Sequence, residues 1–306
     1  MNELKLFRIA DGEASEIQGA AVPLERQLQT LIERNMEAML GIRFLASEYS
    51  TGARHRGRID SLGLDESGNP VIVEYKRSTG RAVITQALSY LSWLRDQRHE
   101  FEGLVNDRLG GRAVALVDWS SPRLVCVAGD FSPHDVHAVE EIGRRIDLVR
   151  YRDFGGGLLA LQLVASVAGS ASIFHAPVAA ASATSGGTRG KSVQQIYDES
   201  PETLQDLYAD LDALLISSGD VQKEFQLHYI AYRKIKNVAT VRFQPRSHTL
   251  VLNLKVDPDT VELSDGFTRD VRRIGCLGTG PLEVRIRSQK DLASAAELVQ
   301  RSVEGR

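Results

Sequence analysis

The sequence predicts an α/β chain in two parts: a mixed β-sheet core flanked by helices, followed by a second, smaller α+β domain. Three observations predict it. Over residues 1–167 apolar spacing alternates between the helical period and the strand period. A run of turn formers, Asp65-Glu66-Ser67-Gly68-Asn69-Pro70, joins two alternating segments into a hairpin. Residues 168–191 are rich in Ala, Ser and Gly, the composition of a flexible tether. The chain has 306 residues, and a prior of about 150 residues per domain also favours two. Boundaries at 1–167, 168–191 and 192–306 follow.

Leu24, Leu28, Leu31 and Ile32 recur at helical spacing and predict a helix over 23–40, with Pro23 in its first turn and Gly41 ending it. Strands are expected at 44–50, 57–64 and 71–76, the last two forming the hairpin. After Gly80, the stripe Val83, Ile84, Ala87, Leu88, Leu91 and Leu94 predicts a helix to about residue 97. Strands at 113–117 and 124–127, a helix at 135–144 and a strand beginning near 158 complete the first part. Beyond the tether, 192–217 reads as one or two helices, and 225–234, 238–243 and 249–256 as a three-strand meander. A strand at 282–286 and a helix at 289–303 close the chain.

Composition narrows the function classes. Apolar residues make up 42% and charged residues 25%, which excludes wholesale disorder and collagen-like or coiled-coil arrays. With 37 basic against 40 acidic residues, nucleic acid would be met by local patches rather than a polybasic coat. Cys126 and Cys276 stand alone, without a Cys-x-x-Cys or Cys/His cluster, so neither a disulfide framework nor a structural zinc site is expected. The N-terminal segment lacks a signal-type apolar run, and the charge-free stretch 155–188 is too Gly/Ser-rich to cross a membrane. A cytoplasmic setting and no membrane partner are the expectation.

Chemistry gathers on the hairpin. Alternate residues of a strand share a face, so Ile72, Glu74 and Lys76 point one way. If Leu64 pairs with Pro70, Asp60 falls opposite Glu74, at the separation of facing cross-strand side chains. Like charges placed so are destabilising, and a divalent cation between them would hold them. Hard carboxylate oxygens suit Mg²⁺ or Mn²⁺, with substrate phosphate oxygens and water completing the shell and the nearby Lys76 ammonium assisting. That is a layout for phosphodiester hydrolysis. A slip of one residue would put Asp60 on the opposite face from Glu74.

These residues resemble the nucleases of the Asp…Glu-x-Lys type, the PD-(D/E)XK superfamily, and within it the NucS-like (DUF91) core. The resemblance rests on Gly57-Arg58-Ile59-Asp60, the acidic turn 65–68, Val71 to Arg77, and a following helix bearing Gln86 and Tyr90, and it covers roughly 20–165. It implies a restriction-endonuclease-like fold and a metal-dependent endonuclease acting on DNA. It implies Asp60 and Glu74 as metal ligands, Lys76 as the cation that orients water, and Gln86 and Tyr90 as residues facing the site. Glu25 matches the helix-borne acidic residue of the family. The order of domains differs from NucS, in which the nuclease domain follows a DNA-binding and dimerisation domain, so substrate preference does not carry over. A catalytically inactive nuclease-type core, serving as a nucleic-acid-binding or protein-interaction module, is the alternative.

Arg54, Arg56 and Arg58 form a basic run that is either a phosphate-gripping strand end, with Arg58 the foremost contact, or a solvated face; Arg77 extends the basic set beside Lys76. The second domain resembles DUF5655. Its span from Lys223 to Arg246 holds six basic residues, Lys234 and Lys236 among them, against Glu224 alone, interleaved with Phe225, Tyr229, Tyr232 and Phe243. Basic residues meet phosphates and aromatics stack on bases, so nucleic-acid contact is one expectation, a solvated basic face another, and homodimerisation a third. His134 and His137 lack a third ligand, and the P-loop-like run 186–192 has the wrong spacing.

Overall fold

A computed structural model describes residues 4–22, 24–77, 81–167, 191–217, 219–274 and 279–305, apart from the side chains of 81–83. The chain divides into two compact units, Met1–Phe174 and His175–Arg306. Most of the expected tether, residues 168–190, lies outside the described residues, as do Pro23 and Cys276.

The first unit opens with a hairpin, β1 (Leu6–Ala10) and β2 (Glu13–Ile17). Asp11 and Gly12 carry its turn at φ 51° and 81°, the left-handed pair that Asp-Gly favours. Helices α1 (Glu25–Arg34) and α2 (Met36–Leu40) follow, then β3 (Ile42–Ser50), the short helix α3 (Gly52–His55), β4 (Arg58–Asp65) and β5 (Pro70–Lys76). Helices α4 (Arg81–Asp96), α5 (Arg98–Leu109) and α6 (Gly111–Val114) lead to β6 (Arg123–Ala128). Then α7 (Pro133–Ile142) leads to β7 (Ile146–Asp153) and β8 (Leu159–Val167). The six strands β3 to β8 stand side by side in chain order. Pairs β3/β4, β4/β5 and β7/β8 are antiparallel, while β5/β6 and β6/β7, joined by helical crossovers, are parallel. The mixed sheet flanked by helices is therefore as expected.

One face of this sheet meets α4, α5 and α7. Leu62, Ile72, Leu124, Cys126 and Leu148 pack with Ile84, Tyr90, Trp93, Leu94, Phe101, Val105 and Val139 in one buried cluster. Helix α1 packs on β5, burying Leu28 and Ile32.

The second unit carries α8 (Val193–Asp198) and α9 (Glu202–Ile216). Strands β9 (Gln222–Phe225), β10 (Ile230–Arg233), β11 (Asn237–Gln244), β12 (Thr249–Leu254), β13 (Thr268–Asp270) and β14 (Leu282–Ile286) precede α10 (Gln289–Glu304). Its sheet, ordered β13-β14-β12-β11-β10-β9, is antiparallel throughout. One face buries Ile230, Val241, Leu252 and Val284 against Leu204, Leu211, Leu292 and Val299 of α9 and α10.

Three expectations are corrected. The helix over 23–40 breaks at Asn35, whose backbone leaves the helical region at φ −125° while its side chain bonds the Leu31 carbonyl. The strand expected at 113–117 is instead helix α6 and a turn, because Ala113 and Val114 pack beneath α5 rather than joining the sheet. Packing outranks the β-propensity of the valines there. The strand at 225–234 is two strands, closed by the Gln226 N–H bonding the Tyr229 carbonyl at 2.9 Å; its turn contains no Gly, Asn or Pro to announce it. Ser192 caps α8 by accepting from the Gln195 N–H.

Candidate active site

Register decides this site, and the hairpin turn decides register. Gly68 N–H bonds the Asp65 carbonyl, and Asp65 N–H bonds the Asn69 carbonyl, each at 3.0 Å. Gly68 has φ 83°, so the connection is a turn closed by a left-handed residue, which needs glycine. The Asp65 carboxylate accepts from Ser67 and Asn69 N–H at 2.9 and 2.8 Å. Buried Arg145 then reaches both Asp65, at 3.0 Å, and Asn69, at 2.8 Å. The turn is held from within and from β7's side, and Leu64 pairs with Pro70.

That pairing continues through Ser61 and Val73 and brings Asp60 and Glu74 together. The Asp60 N–H bonds Glu74 Oε1 at 3.1 Å, and the Tyr75 N–H bonds Asp60 Oδ2 at 3.0 Å. Glu74 is wholly buried, and its Oε2 has no hydrogen-bond partner. Burial, then the neighbouring Asp60 charge, pushes the Glu74 carboxyl up to about 8. Burial also raises Asp60, opposed by the Tyr75 N–H and by Lys76. Cys126, beside Glu74 on β6, is buried and its thiol is pushed upward by the same desolvation.

Two cations flank the pair, each held by its own glutamate. Lys76 Nζ lies 3.3 Å from Glu25 Oε1, while Glu25 Oε2 accepts the Arg77 N–H at 2.9 Å. Glu25 is the first residue of α1, so the helix start is tied to the end of β5. On the other side, Arg58 Nε lies 2.6 Å from Glu48 Oε2. Gln86 and Tyr90 address Arg58 rather than the carboxylates. The Tyr90 hydroxyl donates to the Arg58 carbonyl at 2.9 Å, accepts the Arg58 N–H at 3.2 Å, and accepts from Gln86 Nε2 at 3.2 Å. Gly57 makes room for the ring, since a Cβ there would sit 2.4 Å from Tyr90 Cε1.

The remaining predicted residues of the first unit are bonded elsewhere, save for the Arg77 N–H on Glu25. Arg54 is exposed and pairs with Asp96, which His55 also approaches. Arg56 is exposed at φ 45°. Arg77 has an exposed side chain, its backbone carbonyl accepting from the Tyr151 hydroxyl. Lys234 and Lys236 belong to the second unit, Lys234 paired with Asp220 at 3.0 Å. His137 pairs with Glu140.

Three residues escaped the sequence reading. Buried Gln29 donates to the Asp60 carbonyl at 3.0 Å and to Glu33 at 3.0 Å, and Glu33 accepts from Ser61 at 2.6 Å, so α1 braces β4 from behind. Glu48 lies across from Asp60, bracketed by the pairs Ser47/Ser61 and Tyr49/Ile59. The helical spacing of Glu25, Gln29 and Glu33 is a readable polar stripe; Glu48 has no comparable signal, because a bulge near Leu45 resets the alternation of β3.

A divalent cation fits the donor set: a buried carboxylate oxygen without a partner, facing a second carboxylate, both with raised proton affinity. Among the described residues no group of three His, Cys, Asp or Glu gathers to hold a metal. Two carboxylates are the usual protein share for Mg²⁺, water and phosphate supplying the rest. Also among the described residues, no helix is long and apolar enough to cross a membrane.

Comparison with known proteins gives the following. Residues 193–304 match the family described as Domain of unknown function (DUF5655), in keeping with the resemblance noted for the second domain. An uncharacterized protein of Haemophilus influenzae is 26% identical over 319 residues, covering 98% of this chain and all of that protein. Among solved structures, the EndoMS–dsDNA2 complex is 23% identical with a TM-score of 0.30, over 47% of this chain and 49% of that one. A repair endonuclease from Pyrococcus abyssi is 21% identical with a TM-score of 0.30, over 42% and 48%. The matches thus span about half the length of these two structures.

Proposed function

We propose that the first unit is a metal-dependent nuclease of the PD-(D/E)XK type that hydrolyses phosphodiester bonds, with DNA as substrate. The observation that carries the reading is the Asp60/Glu74 pair with its buried, unpartnered Glu74 Oε2. Such an arrangement destabilises a fold unless a ligand repays it. Mg²⁺ or Mn²⁺ held by Asp60 and Glu74 would supply positive charge that polarises a phosphoryl oxygen and acidifies water. The chain's own residues do the rest. Glu25 keeps the Lys76 ammonium at the strand end, where it orients the attacking water and offsets charge growing on the phosphoryl oxygens. Arg58, its backbone clamped by Tyr90, offers a guanidinium to a flanking phosphate. Buried Tyr75 N–H and Asp60 N–H hold the two carboxylates at fixed angles, which is the preorganisation that such chemistry requires.

The test is incubation of the full chain with labelled duplex, single-stranded and branched DNA in Mn²⁺ or Mg²⁺, with products resolved by gel. Cleavage that chelation abolishes and that Asp60→Asn and Glu74→Gln remove is the expected result. Lys76→Ala should slow it by about a hundredfold or more. Absence of cleavage on every form, or cleavage untouched by Glu74→Gln, would overturn the assignment.

A further inference from the structure

Glu48 is placed with a conformational cost. It occupies β3 at φ 51°, a left-handed conformation that is unfavourable for a non-glycine residue and persists mainly where the surroundings demand it. Its neighbours Ser47 and Tyr49 keep ladder partners on β4, so the deviation belongs to this residue. The outcome is a row of acidic residues across three strands, Glu48, Asp60 and Glu74, in which the Glu48 charge adds to the electrostatic load on Asp60.

Among the described residues, the cation paired with Glu48 is Arg58, at 2.6 Å. The Arg58 backbone is immobilised at both its N–H and its carbonyl by Tyr90. Thr51 holds the preceding residue in the same way, its hydroxyl bonding the Gly57 carbonyl and N–H at 2.9 and 2.8 Å. The side chain, by contrast, is 69% exposed and Glu48 38%. A rigid backbone therefore carries a guanidinium that, among the described residues, is tied by an exposed ion pair, which is weak and easily exchanged. The buried pairs of this unit are different: Arg123 with Asp147 and Arg145 with Asp65 are closed off from solvent.

We propose that Glu48 is a specificity-determining residue of this site: it is the exchangeable counter-ion of Arg58, surrendering the guanidinium to a nucleic-acid phosphate and returning to it when the strand leaves. The inference rests on the nuclease reading for the nature of the ligand. It explains why an acidic side chain is set, at a backbone cost, beside a surface meant to receive a polyanion. A carboxylate competing for Arg58 rejects lone anions and weakly seated strands, and yields to a backbone that also engages the rest of the site.

The test is metal-free binding of a fluorescein-labelled DNA duplex to the full chain, followed by anisotropy across a salt series in chelator. Glu48→Gln should tighten binding by about three- to fivefold, the upper range for an exposed ion pair. Arg58→Ala should weaken it and flatten the logarithmic salt dependence by about one phosphate contact. The double variant should bind as Arg58→Ala does, because Glu48 then has nothing to withhold. A Glu48→Gln variant that binds no tighter, or a gain that persists without Arg58, overturns the inference. Either result can stand beside intact Mn²⁺-dependent cleavage that Glu74→Gln removes, in which case the nuclease reading survives. Coupling of the two residues without cleavage would instead sink catalysis and leave the phosphate contact.

Discussion

Glu74 accepts the Asp60 N–H through one carboxylate oxygen and keeps the other buried without a partner. One hydrogen bond thus ties the two acidic residues into a single unit, and the second oxygen makes that unit costly to ionise in the absence of a cation.

A pH-dependent stability follows. Glu74 titrates near 4.5 in the unfolded chain and near 8 in the fold. Below 4.5 both states hold the proton and no penalty exists. Between the two values the folded state holds more protons, so stability falls as pH rises; above 8 the full penalty stands, on the order of a few kcal/mol. Glu74→Gln should therefore raise the thermal midpoint of the metal-free protein by several degrees at pH 8 and leave it nearly unchanged near pH 4.5. Equal gains at both pH values would refute the buried-charge account.

Mn²⁺ should act in the same direction on the wild type. A cation that binds the folded state alone raises the midpoint by mass action, and titrating the metal against thermal unfolding at pH 7 measures it. Asp60→Asn and Glu74→Gln should each abolish the rise, while Cys126→Ala, a buried neighbour with no place in the proposed ligand set, should retain it.

Gly57 and Tyr90 are predicted to couple. Gly57→Ala forces a methyl group against the Tyr90 ring and should cost about 1–3 kcal/mol in chemical denaturation. Tyr90→Phe keeps the ring but leaves the Arg58 N–H and carbonyl without their partner, at about 1–3 kcal/mol. In a double-mutant cycle, Gly57→Ala should cost distinctly less when Tyr90 is already Ala, since the clash is then gone.

Arg145 carries the register. Arg145→Met leaves Asp65 buried without its cation and frees the turn, and should cost about 3–5 kcal/mol. Proteolysis under native conditions should then cut within 65–70, a span that is buried or half-buried in the wild type and should resist cleavage there; an uncut turn in the variant would show that the backbone bonds suffice alone.

The hairpin was the legible part of the molecule. Alternation in 57–64 and 71–76 and the turn residues between them mark a hairpin, and an apolar stripe of its own marks the helix that bears Gln86 and Tyr90; the meeting of Asp60 and Glu74 hangs on the Leu64–Pro70 register, which the hydrogen bonds of the turn supply. Local signals sufficed for the hairpin because turn formers sit between two alternating segments, but a slip of one residue stays open to them. The first helix was legible as a stripe but not in its break, since Asn35 is a mild helix former whose departure depends on how α2 must turn to meet β3. The hairpin at 226–229 was not legible, because its turn uses residues with no preference for one.

The amino-acid sequence by itself determined the two strands that carry Asp60, Glu74 and Lys76 and the hairpin that joins them, so that given the Leu64–Pro70 register it names the carboxylates that face each other, all from periodicity and turn chemistry acting over a few residues. Tertiary structure alone decided that Glu25 belongs to Lys76, that Tyr90 clamps Arg58, and that Glu48 lies across from Asp60. Those contacts join residues 32 to 51 positions apart, or 12 where a bulge has reset the strand alternation, and such separations leave no mark in local sequence preference. They form only when the sheet and its helices close on a shared core.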